Sequence, residues 1–236
     1  MARMQQFLFG CRDSMTMILG IAPVGLIFGA LAVLAGLSVV ESTVMSVLVY
    51  AGSAQFIALS LIAASSGLLV VLLTTFVVNL RHVLYSAALQ PYVGELSKRW
   101  RIPLAFTLTD ETFAVVQRRY LVLGKESHGR WYHAGVTLTL YITWTVSSLL
   151  GALFGQSVPD LAGWGLEFTM LATFIGIVVP ALRNRPQIAA AVVAGGVALI
   201  CHFWPYKLGL MAAAVSGIAT GVLLQRREER AHKENV

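Results

Sequence analysis

Gly67-LLVVLLTTFVV-Asn79-Leu-Arg81-His82-Val-Leu-Tyr85-Ser86 is the stretch that decides the fold. Its first part is apolar enough to lie in hydrocarbon. Its second part sets an amide, a permanent cation and an imidazole at the edge of that run. An arginine in such a place is costly unless it snorkels, pairs or lines a wet cavity, so it is a functional-site candidate.

The rest of the chain has the same character. Of 236 residues, 57% are hydrophobic and only 12% charged, with a mean hydropathy of +0.76. A soluble domain carries about 25% charged residues, so this chain lacks the polar surface to cover a globule. The net charge of +6 does not signal nucleic acid, because most cations sit in short clusters between apolar runs, where topology determinants belong. Cys11 and Cys201 lie far apart and imply neither a disulfide framework nor a zinc site. The first apolar run, Ser14 to Ala35, would reach roughly 33 Å as a helix, which is a mature transmembrane span rather than a cleaved signal.

Apolar length predicts an all-α polytopic membrane protein with about seven transmembrane helices. The expected spans are 14–36, 44–63, 67–89, 133–155, 164–182, 188–203 and 207–224. The run Ile102–Val116 is shorter and contains Asp110 and Glu111, which suits a buried or re-entrant segment. The whole of 1–236 reads as one integral membrane domain with a basic cytoplasmic tail at 226–236. Gly25-Leu-Ile-Phe-Gly29 and Gly151-Ala-Leu-Phe-Gly155 are near copies, and Gly217 and Gly221 repeat the spacing. They hint at half-repeats over about 12–116 and 133–225, an arrangement found in transporters, and each supplies a face that lets helices approach closely.

Lysine and arginine place the C-terminal tail, Arg183/Arg185 and the Arg118–Arg130 stretch on the cytoplasmic side. The cluster Lys98, Arg99 and Arg101 conflicts with Arg3 and Arg12. If 102–116 re-enters, the first cluster is inside and three preceding spans put the N-terminus outside. If it crosses, Arg3 and Arg12 are inside and the 98–101 cluster is not. The acidic pair penalises a full crossing, so the expectation is a re-entrant segment and an external N-terminus.

Four polar clusters could carry chemistry. In the first span, Gly20, Pro23, Gly25 and Gly29 predict either a kinked helix or an unwound stretch with free backbone groups. In the second, small residues from Ala51 to Ala54 precede Gln55 and Phe56, giving either a packing seam or the open side of a substrate cavity. In the third, Asn79, Arg81, His82 and Tyr85 combine an anchor or carboxylate-binding fork with neighbouring polar groups. In the fourth, Asp110 and Glu111 cannot both be cheaply charged in an apolar setting, which suits a proton carrier; Thr109 could equally cap an interfacial helix.

An intramembrane enzyme built on Ser53 and His82 lacks the second glycine of a nucleophile elbow and identifiable oxyanion donors. His82, His128, His133, His202 and His232 show no metal-ligand spacing, so neither a metal nor another cofactor is expected. A non-transporting scaffold or channel is the other alternative, although no repeated polar lining is evident.

Taken together, Cys11-Arg-Asp-Ser14, Ile21-Ala-Pro23, Phe28-Gly29, Tyr50-Ala-Gly-Ser-Ala-Gln-Phe56, Arg81-His-Val-Leu-Tyr85 and Leu108-Thr-Asp-Glu-Thr-Phe-Ala114 resemble the AzlC family of bacterial branched-chain amino acid exporters. The second half matches through Trp144, Gly151 and Gly165-Leu-Glu-Phe168, where Glu167 stands in place of a commoner aspartate. The resemblance implies proton-coupled export of valine, leucine or isoleucine, sometimes methionine, across the bacterial inner membrane. It also implies a small AzlD-type membrane subunit as partner. Under that reading Pro23, Gly25, Phe28, Gln55, Phe56, Asn79, Arg81 and Phe168 are the substrate-binding candidates, and Asp110, Glu111 and His82 the proton-coupling candidates.

Overall fold

The structure is a computed structural model, describing residues 2–124, 128–154, 175, 179, 182, 184–204 and 208–234. Its described elements are all α-helices: α1 Ala2–Asp13, α2 Met15–Leu34, α3 Val39–Leu48, α4 Gly52–Ala63, α5 Leu68–Asn79, α6 Arg81–Val93, α7 Lys98–Phe106, α8 Asp110–Leu123, α9 Gly129–Phe154, α10 Arg185–Ile200 and α11 Leu208–Glu234. Met15–Leu34, Leu68–Val93 and Gly129–Phe154 are long and apolar enough to cross a membrane. The expected span 164–182, with Phe168 and most of its neighbours, lies outside the described residues, as does Gly155.

Glycines set the central packing. A Cβ on Gly29 would lie 1.9 Å from the Ser148 carbonyl oxygen, and one on Gly151 would lie 1.9 Å from that of Leu26. Neither position has room for a side chain, so the backbones of α2 and α9 touch there. Gly10 meets Tyr132 and Val136, Gly25 meets Trp144 and Ser147, and Gly29 meets Ser148 and Ala152. Numbers rise together along both helices, so α1–α2 and α9 run in the same direction. The start of both carries Gln6, Asp13, Arg119 of α8 and Tyr132: Arg119 donates to Gln6 at 2.8 Å, and the Tyr132 hydroxyl donates to Asp13 at 2.9 Å.

The segment 98–123 enters and leaves at this same basic end. Trp100 packs edge-on against Trp131 with centroids 4.7 Å apart, and the Arg130 guanidinium lies over the Trp100 ring. Helix α7 runs inward, Thr107–Thr109 break it, and α8 returns to stack Tyr120 on Tyr92 at 4.9 Å. The re-entrant expectation for 102–116 therefore describes the observed path.

Residues 39–63 correct another expectation. The run 44–63 is not one crossing span but two helices, α3 and α4, folded back at Val49–Ala51. The reason lies in the next element. Leu68–Val93 ends at Tyr92 beside Tyr120, whose hydroxyl is 3.5 Å from His133 Nδ1 near the start of α9. This helix of roughly 39 Å must begin at the far end, and the short 64–67 connection holds the end of α4 there too. Helix α3 also begins there, after α2 has crossed. A small, polar sequence at 50–55 with Gly52 tolerates the turn that an unbroken apolar helix would not.

The topology follows, and with it a second correction. With 39–63 folded back on itself, two long apolar helices rather than three lie between the N-terminus and the 98–101 cluster. The N-terminus lies at the same end as Lys98, Arg99, Arg101 and Arg118–Arg130. All these basic clusters are thereby reconciled. Pro23 removes one donor from α2 without unwinding it, since the helix continues from Met15 to Leu34. Helix α1 was not foreseen, and the basic tail continues α11 as helix to Glu234. Gly217 and Gly221 pack on Ala190 and Ala194 of α10, so this glycine face, like Gly25/Gly29, is filled within the chain.

Two outcomes test this arrangement. With native cysteines removed, thiols placed by Arg3→Cys and Lys98→Cys should react with an impermeant reagent from one side of the membrane and Ser66→Cys from the other; labelling of Arg3→Cys together with Ser66→Cys refutes the double hairpin. Gly151→Leu should lower thermal stability in detergent by at least about 3 kcal/mol through overpacking, whereas Gly67→Ala, which has nothing within 4 Å of its added carbon, should change it little.

Candidate functional site

The two hairpins enter from opposite ends and their tips meet inside the protein. One tip is Tyr50-Ala51, followed by the first turn of α4. The other is Thr107–Thr109, followed by the first turn of α8. The Tyr50 side chain reaches Thr109 and Thr112 across the junction. Between them lies a small cavity lined by Gly52, Ser53, Arg81, Asp110, Glu111 and Trp144, with Ile21 and Val24 of α2 as its apolar wall.

Local chemistry explains each tip. Tyr50 has φ +42°, a left-handed conformation uncommon outside glycine. Its ring lies 4.7 Å from Tyr141, and the Tyr141 hydroxyl donates to the Val47 carbonyl at 2.9 Å, securing the end of α3. Gln55, fully buried, accepts from the Ala51 amide at 3.2 Å. Its amide nitrogen donates to Ser46 Oγ at 3.5 Å. Gln55 thus stitches the break rather than facing the cavity. At the other tip, the Thr109 side chain accepts from the Thr112 amide at 3.3 Å and caps α8.

Asp110, in the first turn of α8, pairs with the Arg81 guanidinium and accepts from the Tyr85 hydroxyl at 2.5 Å. Arg81 follows a tightened turn in which the Leu80 amide donates to Val77, three residues back. Tyr85 is stacked on Phe113 at 4.6 Å, and this pair with Tyr92–Tyr120 keeps α6 and α8 in parallel register. Arg81 and Asp110 come together across 29 residues because of that register. The α4 and α8 helix starts both open on the cavity, and each carries partial positive charge there. The α4 start has no side-chain cap, and Ser53 Oγ has no hydrogen-bond partner among the described residues.

The sequence candidates sort accordingly. Arg81, Asp110 and Glu111 converge on the cavity. Phe28 and Phe56 form its aromatic support, with centroids 5.7 Å apart; Phe28 is fully buried and stacked on Trp144 at 5.8 Å. Gly25 belongs to the α2–α9 seam. Pro23, Asn79 and His82 stand beside the cavity but not in its lining, and Phe168 lies outside the described residues. His82 rests edge-on against Tyr85 at 5.8 Å, and among the described residues no hydrogen bond joins it to Ser53. Tyr50 heads the 50–56 cluster read as the open side of a cavity, and it does line one. Sequence reasoning missed Trp144 as a cavity residue, since a tryptophan in an apolar run reads as core.

Comparison with known proteins points to one family. The family model described as AzlC protein matches residues 16–158. Inner membrane protein YgaZ of Escherichia coli is 26% identical over 92% of this chain and 90% of its own length. An uncharacterised membrane protein of Archaeoglobus fulgidus is 31% identical over 92% of this chain and 94% of its own. The branched-chain amino acid transport protein AzlC of Bacillus subtilis is 28% identical, over 66% of this chain and 59% of that relative. No solved structure matches. The expectation drawn from the hairpin-tip motifs is met, and this chain is a membrane protein of the AzlC family.

Proposed function

We propose that the chain exports branched-chain amino acids across the bacterial inner membrane, driven by the proton gradient, with its basic end in the cytoplasm. The carrying observation is the cavity between two opposed hairpin tips, which brings two helix starts, a paired Arg81–Asp110 and a second carboxylate to one apolar-walled site. The Bacillus subtilis relative's name supports the substrate class.

In this reading the substrate carboxylate rests on the free amides at the start of α4 beside Ser53, as anions do at helix N-termini. Arg81 is committed to Asp110, so its role is to hold that acid and the α8 tip. Glu111 faces the same space and carries the coupling proton, alone or shared with Asp110. Ile21, Val24 and Trp144 meet the branched side chain. The free space of about 50 Å3 holds only a few waters, so this is a closed form and the tips part to admit substrate. A small AzlD-type subunit joins the complex by a surface other than the Gly25/Gly29 and Gly217/Gly221 faces.

Flux measurements in proteoliposomes test this. Glu111→Gln should abolish valine accumulation driven by a pH gradient while valine exchange persists. Arg81→Ala should lose both, because a buried acid left without its partner costs about 3–5 kcal/mol, and Arg81→Lys should rescue poorly for want of the planar fork. Ser53→Ala should raise the KM for valine several-fold with little change in maximal rate. Normal accumulation in Glu111→Gln, Asp110→Asn and the double variant would sink the coupling role.

A further inference from the structure

One face of α9 carries buried polar side chains, of which the site uses only Trp144. His133, Thr137 and Trp144 follow one another at intervals of four and seven, which puts them in a single stripe. They are 1%, 8% and 7% exposed. His133 Nε2, Thr137 Oγ1 and Trp144 Nε1 each have no hydrogen-bond partner among the described residues. Buried polar atoms are paired as a rule, so these exceptions, with Ser148 Oγ one turn beyond Trp144, require an explanation. A purely structural seam would be filled equally well by apolar side chains.

The stripe also connects two places. Trp144 lines the cavity that holds Asp110 and Glu111. Eleven residues earlier, roughly 16 Å along the helix, His133 lies against Tyr120. The groups facing that end are Tyr120 of α8, with Tyr92 of α6 stacked on it, and the Asp13–Tyr132–Arg119 cluster at the mouth of the seam. Between the two polar ends Val116 and Leu140, both fully buried, form an apolar section.

We propose that this stripe is the basic-end half of the proton route, a file of water along the α8–α9 seam, with His133 as its station and Val116–Leu140 as the section that wets only during turnover. The inference rests on the proton-coupled reading above. His133 and Thr137 hydrogen-bond the file, and protons pass between His133 and the carboxylates at the α8 start when the apolar section fills. No bond other than those to the moving proton is made or broken.

Two measurements on the full chain decide it. In a background with Cys11→Ser and Cys201→Ser, thiols at His133→Cys and Thr137→Cys should react with a small cationic methanethiosulfonate added at the basic side of membrane vesicles. They should react at least about tenfold faster than Leu138→Cys, which sits at the same depth on the outer face of α9, because a thiol reacts as thiolate in water. Rates no faster than that of Leu138→Cys overturn the file. In proteoliposomes, His133→Gln should slow gradient-driven valine accumulation about tenfold and alter its pH profile while valine exchange stays within about twofold, which a folding defect would not spare. Accumulation and pH profile unchanged in His133→Gln, while Glu111→Gln loses accumulation, overturn the role of His133 alone. Accumulation retained in the Asp110 and Glu111 variants instead removes the coupling reading, and this inference with it.

Discussion

Backbone contact between α2 and α9 is the constraint on which the other elements depend. Lipid supplies no hydrophobic drive for helices to associate, so close packing must supply the attraction. Gly29 against Ser148 and Gly151 against Leu26 bring the two backbones together. The paired helices then form the wall against which both hairpins rest. Broken helices are tolerated at membrane depth only where protein or a wet cavity covers their exposed backbone groups. Trp144, which lies against Gly52 and stacks on Phe28, is where that wall meets the first hairpin tip.

Several polar groups at the tips hold the broken backbone and the acid in place. Gln55 serves the break at Ala51, Thr109 serves the start of α8, and Tyr85 with Arg81 serves Asp110. A buried carboxylate held by both an arginine and a tyrosine is fixed in direction as well as charge. Glu111, its neighbour in sequence, lines the same cavity and has no ion-pair partner among the described residues. Two adjacent acids consequently share one cavity in unlike surroundings, with only Asp110 fastened by Arg81 and Tyr85.

Much of this was legible in the residues. Apolar length gave the membrane character, and the acidic pair in 102–116 gave the re-entrant segment, because the cost of carrying two carboxylates through hydrocarbon is local. The motifs around Arg81 and Asp110, far apart in sequence, come together at the cavity between the tips. The first hairpin was not legible, because 44–63 is as apolar as a crossing helix and a turn at Tyr50 depends on what Tyr141 and Gln55 do in three dimensions. The effect propagates: reading 44–63 as one span sets the N-terminus at the opposite end from Arg118–Arg130, whereas Gln6 lies against Arg119. The contact of Gln55 with its own backbone at Ala51 was not legible for a related reason, since an amide in an apolar run looks the same whether it binds a ligand or its own chain.

The parallel seam has a consequence for how the chain is made. Gly29 waits for Ser148 and Ala152, more than a hundred residues downstream. Translation delivers α3 to α8, with both hairpins, before the helix that shelters them has left the ribosome. Until α9 inserts, the exposed turns at Tyr50 and Thr107–Thr109 have no wall to cover them, and long-range closure of this kind is slow and vulnerable. The nascent chain must therefore be held at the insertion machinery, or in the watery boundary of the bilayer, until residue 154 is in place.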